Sequence, residues 1–158
     1  MRKVIYHLEP ALPQVKKMFP TINWGGCGVF ANLLATELDK LGVKYKIIWI
    51  GHEARHKKDI KKIFKHYGGQ VTLGAFNDSD IYVAHIMIKV GRKFIDASGV
   101  HKNLNNTQWG WYGLRHEITK EQLELISLSS EGWNSDFNRN QIPRVKKEVK
   151  KIFEKVVI

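Results

Sequence analysis

The chain has 158 residues, 43% of them apolar, which suits a single domain spanning 1–158 around one core. Its 26 Lys and Arg against 15 Asp and Glu give a formal charge of +11, a balance that fits an anionic partner, nucleic acid or high solubility. A lone cysteine excludes an internal disulfide and a Cys-only zinc site. With no signal-peptide pattern and no apolar run long enough to span a bilayer, the expectation is a cytoplasmic protein without membrane association.

Taken in chain order, Val4 to Leu8 reads as a short strand. Pro10 to Phe19 reads as a short helix with Leu12, Val15 and Phe19 on one side, stopped by Pro20. A loop, Thr21 to Gly26, leads into a helix from Cys27 to about Leu41, on which Phe30, Leu33, Leu34, Leu38 and Leu41 recur at helical spacing and which Gly42 ends. Lys44 to Ile50 reads as a strand, Ala54 to Tyr67 as a helix with a lysine-rich outer face, and Val71 to Leu73 as a short strand before a polar loop. Ile81 to Val90 carries the clearest strand pattern; Gly91-Arg92 is a turn signal and Lys93 to Ala97 returns. Val100 to His116 shows little periodicity and reads as a long ordered loop. Thr119 and Gln122 have capping-box spacing ahead of a helix reaching about Ile126. Another loop covers Ser129 to Gln141, and Pro143 opens a last helix with Val145, Val149, Ile152, Phe153 and Val156 as its stripe. Helices first and an antiparallel sheet after them make an α+β pattern.

The chemistry concentrates at Asn23-Trp24-Gly25-Gly26-Cys27-Gly28. Two glycines turn the backbone tightly and allow close approach just before the helix. A thiol there meets N–H groups without intrahelical partners and the positive end of the helix dipole, both of which favour thiolate over thiol. The same N–H groups suit the oxyanion of a tetrahedral intermediate. The competing reading is a small buried apolar side chain.

Of the seven histidines, His85 stands in an apolar strand. If Gly91-Arg92 is a two-residue turn, Val90 pairs with Lys93, Ile88 with Ile95 and Met87 with Asp96. Alternation then puts His85, Met87 and Asp96 on one face, with His85 and Asp96 as diagonal neighbours. A carboxylate beside an imidazole fixes its tautomer, the second half of a Cys-His-Asp triad.

Gly25-Gly-Cys-Gly at a helix start, a strand histidine, and Asp96 on the next strand together resemble the papain-like superfamily, most closely its transglutaminase-like branch. The likeness covers roughly Asn23 to Gly99. It implies an α+β fold in which the cysteine-bearing helix packs on an antiparallel sheet. It also implies Cys27 as nucleophile, His85 as general base and acid, Asp96 as orienter, and a peptide, amide or acyl substrate without a cofactor. Papain carries a glutamine shortly before its cysteine to complete the oxyanion hole; here Asn23 is the nearest amide. Asn23, Trp24, Gly26, Trp109 and Trp111 are therefore the expected oxyanion and substrate contacts.

Two other readings compete. His52-Glu53-Ala54-Arg55-His56 has the spacing of a zinc hydrolase motif, in which two histidines one helical turn apart hold the metal and Glu53 activates water. Arg55 and the lysines after it are poor company for a dication. Trp109, Trp111, Tyr112 and Trp133 in polar loops, on so basic a chain, would suit stacking on single-stranded nucleic acid, lining of the cleft beside Cys27, or capping of the core. His101 and the remaining histidines receive no role from sequence.

Overall fold

The computed structural model describes residues 2–23, 25–53, 81–110, 114–129 and 139–156. The readings for Ala54 to Asp80, including the lysine-rich helix and His56, lie outside these residues, as do Trp24, Trp111, Tyr112, Trp133 and Phe137. Among the described residues no helix is long and apolar enough to cross a membrane.

The chain begins with two short helices, α1 (Arg2–Leu8) and α2 (Leu12–Met18), and a longer one, α3 (Cys27–Lys40). Strands β1 (Lys46–Glu53), β2 (Ile81–Val90), β3 (Lys93–Asp96), β4 (Gly99–His101) and β5 (Leu114–Ile118) follow, then α4 (Lys120–Ser129) and α5 (Ile142–Val156). The strands form one sheet in the order β4-β3-β2-β1-β5, every neighbouring pair antiparallel. The architecture is α+β.

Two expectations need correction. Val4 to Leu8 is helical, not a strand: β-branched residues give a weak strand preference, and here burial of Leu8 against the helical layer decides otherwise. The loop expected from Val100 to His116 contains β4, a turn of 3-10 helix at Leu104–Asn106 and most of β5. β5 is hidden in the sequence because Arg115 and Glu117 interrupt its apolar residues; pairing of Ile47 with Ile118 and Trp49 with His116 fixes it at the sheet edge.

Each face of the sheet buries its own residues. Ile47 and Trp49 of β1, Ile86, Ile88 and Val90 of β2 and Ile95 of β3 join Phe30, Leu34, Leu38, Val149 and Phe153 in the main core between sheet and helices. Phe30 and Phe153 meet edge to face at 6.1 Å between centroids, which ties α3 to α5. On the other face Ile50 and Met87 are covered by Leu104 and Trp109 from the connection between β4 and β5. The last helix exposes Lys146, Lys147, Lys150 and Lys151. Lys150 and Lys151 pair with Glu154 and Glu148 of the same helix, as on an ordinary solvated face.

Local signals explain the element ends. Gly42 takes φ +63° after α3, with Gly42 N–H donating to the Asp39 carbonyl and Val43 N–H to the Leu38 carbonyl, a Schellman ending. Thr119 and Gln122 form the expected capping box: Thr119 N–H donates to Gln122 Oε1 at 2.8 Å, and Gln122 N–H to Thr119 Oγ1 at 3.1 Å. At the β2–β3 turn Gly91 has φ +59° and Arg92 does not go positive, the pattern of a type II′ hairpin. The register is the expected one, Val90 with Lys93 and Ile88 with Ile95.

Candidate active site

Cys27 is the first residue of α3, and Gly26 is the helix N-cap. Phe30 N–H is bonded to the Gly26 carbonyl, so the N–H groups of the first turn precede the intrahelical ladder. The Cys27 side chain is 4% exposed and packs with the main core.

His85 comes to this place through an irregularity that the periodicity does not reveal. Along β1 and β2 the pairing runs from Lys46 with Lys89 to Ile50 with His85, then jumps to Gly51 with Val83. Ala84 is the extra residue of a β-bulge beside the histidine. Bulges bend a strand and redirect the neighbouring side chain, and they also explain a long strand that leaves its register without ending.

The hairpin then delivers Asp96. His85 Nε2–H donates to Asp96 Oδ2 at 2.9 Å, with His85 fully buried and Asp96 2% exposed. The other carboxylate oxygen, Oδ1, is held by Ser98 N–H at 2.8 Å and His101 Nε2–H at 3.0 Å. Asp96 thus receives three donors, and its carboxyl is held far below the usual carboxylate range. Burial alone would raise it; the hydrogen bonds and charges of His101 and His85 reverse that.

At the opposite nitrogen, His85 Nδ1 makes no hydrogen bond of regular geometry. Cys27, like Asp96, acts on the His85 ring to raise its proton affinity. Burial pushes the His85 proton affinity down; Asp96 and Cys27 outweigh it and lift the pKa from 6.5 to about 9. Both groups thus favour the protonated imidazole against the burial that opposes it.

Trp109 closes the site from the other side. Its ring stacks on His85 with centroids 4.2 Å apart and planes 15° from parallel. An indole face over an imidazolium is favourable, more so out of water. The connection that carries it is tightly built. Asn103 caps Asn105 N–H, Thr107 Oγ1 donates to the Leu104 carbonyl at 2.7 Å, and Arg115 reaches Asn105 and the Gly110 carbonyl. At Gly110 a Cβ would lie 2.6 Å from the Asn105 Cα, so only glycine fits without moving the backbone.

Of the residues singled out from sequence, His85 and Asp96 are hydrogen-bonded to each other, and Cys27 acts on the same imidazole. Trp109 joins them as a cover on the imidazole. Asn23 is buried and donates from Nδ2 to Ser98 Oγ at 2.6 Å, bracing the loop before α3 against the β3–β4 turn. Of the zinc alternative, His52 and Glu53 are the last residues of β1, paired with Tyr82 and Ile81 rather than at the start of a helix, and His56 lies outside the described residues. Among the described residues no group of three or more His, Cys, Asp or Glu is placed to hold a metal ion. Sequence reasoning missed His101. Its only signal was the spacing Asp96-Ala-Ser-Gly-Val-His101, which becomes meaningful once Ser98 turns the chain and Asp96 pairs with Gly99.

The chain matches no family profile, and no curated protein and no solved structure is found similar to it.

Proposed function

We propose that this protein is a cysteine-dependent hydrolase or acyl transferase acting on an amide, isopeptide or thioester, with Cys27 as nucleophile, His85 as general base and acid, and Asp96 as the orienting group. The observation that supports it most is one buried imidazole bound at Nε2 to Asp96, with Nδ1 making no hydrogen bond among the described residues and Cys27 acting on the same ring. A histidine held only for packing would not need an ionised carboxylate on one side and a thiol on the other.

The steps follow from this arrangement. His85 Nδ1 holds the proton taken from Cys27 Sγ, giving a thiolate–imidazolium pair. The thiolate attacks the substrate carbonyl carbon, and the oxyanion lies toward the N–H groups at the start of α3, where the helix dipole favours negative charge. Collapse expels the amine or thiol, which receives the His85 proton. Water, or an acceptor amine, then gives its proton to His85 as it attacks the thioester, and Cys27 is released. Asp96 stays ionised throughout and stabilises each imidazolium state.

Iodoacetamide alkylation at pH 7, followed by mass spectrometry, tests the pairing without a known substrate. The reference is the same protein with His85→Gln, which shares the burial of Cys27, so access cancels. The expected result is alkylation at least tenfold faster in the wild type, with no adduct in Cys27→Ala; this corresponds to about 1.4 kcal/mol or more of thiolate stabilisation by the imidazolium. Equal rates in wild type and His85→Gln would refute the proposal.

A further inference from the structure

We infer that His101 is a positioning residue of the Cys27–His85–Asp96 group: it holds the outer oxygen of Asp96 and thereby sets how strongly that carboxylate binds the His85 proton. This rests on the catalytic reading of Cys27, His85 and Asp96, and extends it to a fourth side chain.

The geometry divides the carboxylate cleanly. Oδ2 serves His85 at 2.9 Å, and Oδ1 serves His101 at 3.0 Å. The backbone N–H of Ser98, also on Oδ1, belongs to the turn itself, so His101 is the donor that a simple side-chain substitution removes. β3 and β4 provide this arrangement. They pair antiparallel with Asp96 opposite Gly99 and Phe94 opposite His101, so the β3–β4 turn folds the second imidazole back over the carboxylate. His85 and Asp96 are sealed, whereas His101 is 21% exposed. A chain of hydrogen bonds therefore runs from the buried His85 imidazole through one carboxylate to an imidazole that meets solvent.

The sign of its effect does not depend on the charge of His101. Nε2–H donates to Oδ1 in the neutral ring and in the cation alike, and in both forms it draws electron density from Asp96. The groups that act on Asp96 are His101 and His85; those that act on His85 are Asp96 and Cys27. Removing His101 concentrates the negative charge on the oxygen facing His85. The imidazolium is then held more tightly and becomes a weaker proton donor to the leaving group.

His101→Ala and His101→Gln separate this from a merely structural contact. Gln carries an N–H at about the reach of Nε2 and does not titrate. Two readings are made on each folded variant: the NMR titration midpoint of the His85 ring, assigned by its loss in His85→Gln, and the iodoacetamide rate at pH 7. With His101→Ala the midpoint is expected to rise by about half a pH unit, since a hydrogen bond to a charged group is strong and part of its effect passes through Asp96. The alkylation rate is expected to rise, by up to about threefold, because a more basic imidazole draws more of the Cys27 proton. His101→Gln is expected to restore both. An unmoved midpoint in His101→Ala, or a His101→Gln protein indistinguishable from it, would overturn the inference. Failure of the catalytic reading looks different: wild type and His85→Gln would alkylate alike, whatever the His85 midpoint does.

Discussion

Asp96→Asn is the perturbation whose outcome the site fixes most sharply, because stability and pH are linked through two shifted groups. Asp96 is depressed in the folded state, so its contribution is fully present above its unfolded value of 3.8 and is lost as pH falls from there through the folded value. His85 is raised from 6.5 to about 9, so its contribution is fully present below 6.5 and is lost as pH rises through 9. The His85 rise alone corresponds to on the order of 3 kcal/mol, lost at about 1.4 kcal/mol per pH unit across that window. Asn cannot hold an imidazolium, and burial then favours the neutral ring, so the variant lacks the decline. Urea unfolding at intervals from pH 4 to pH 10 measures the gap between the two proteins. It is expected to be widest between about pH 4 and 6.5, near the 3–5 kcal/mol typical of a broken buried pair, and to narrow from about pH 6.5 until pH passes 9. A gap that stays constant from pH 6 to pH 10 would mean that His85 is not held as a cation, and the electrostatic account of the site would fall with it.

Trp109→Phe keeps an aromatic cover on His85 but gives a weaker cation–π face, so the His85 midpoint is expected to drop by a few tenths of a pH unit, read by the same NMR titration; an upward shift would show that the indole does not favour the imidazolium. Gly110→Ala places a Cβ 2.6 Å from backbone and must displace the Trp109 connection, for an expected loss of about 1–3 kcal/mol in urea unfolding; an unchanged midpoint would contradict the close packing of Gly110 against the backbone of Leu104 and Asn105.

How much of this is legible in the sequence differs element by element, and the reason is range. The β2–β3 hairpin is readable because its register is decided within a few residues by Gly91-Arg92 and by the alternation on either side. The capping box at Thr119 and Gln122 and the glycine ending at Gly42 are equally local. From the hairpin alone, the pairing of His85 with Asp96 follows by parity. The first helix escapes such reading because a short apolar run, Val4-Ile5-Tyr6, has no period of its own. β5 escapes it because what makes it a strand is β1, some seventy residues earlier in the chain.

The site is half legible for the same reason. Parity places two side chains on one face, but it does not aim them. The bulge at Ala84 turns the strand at His85, and it exists only because β1 and β2 fall out of step at Ile50 and Gly51, across a long stretch of chain. Trp109 and His101 arrive by connections whose course depends on Gly110 fitting against Asn105 and on Ser98 turning back toward Asp96. The sequence therefore exposes the atoms that would react, while the groups that set their proton affinities come from tertiary structure. Those groups also carry a cost: a buried carboxylate with three donors and a buried imidazole bear a desolvation that an apolar core of the same shape would avoid. Chemistry at Cys27, as proposed, would account for this cost beside the lone cysteine, and the comparison of wild type with His85→Gln is the measurement that decides between that and a purely structural role.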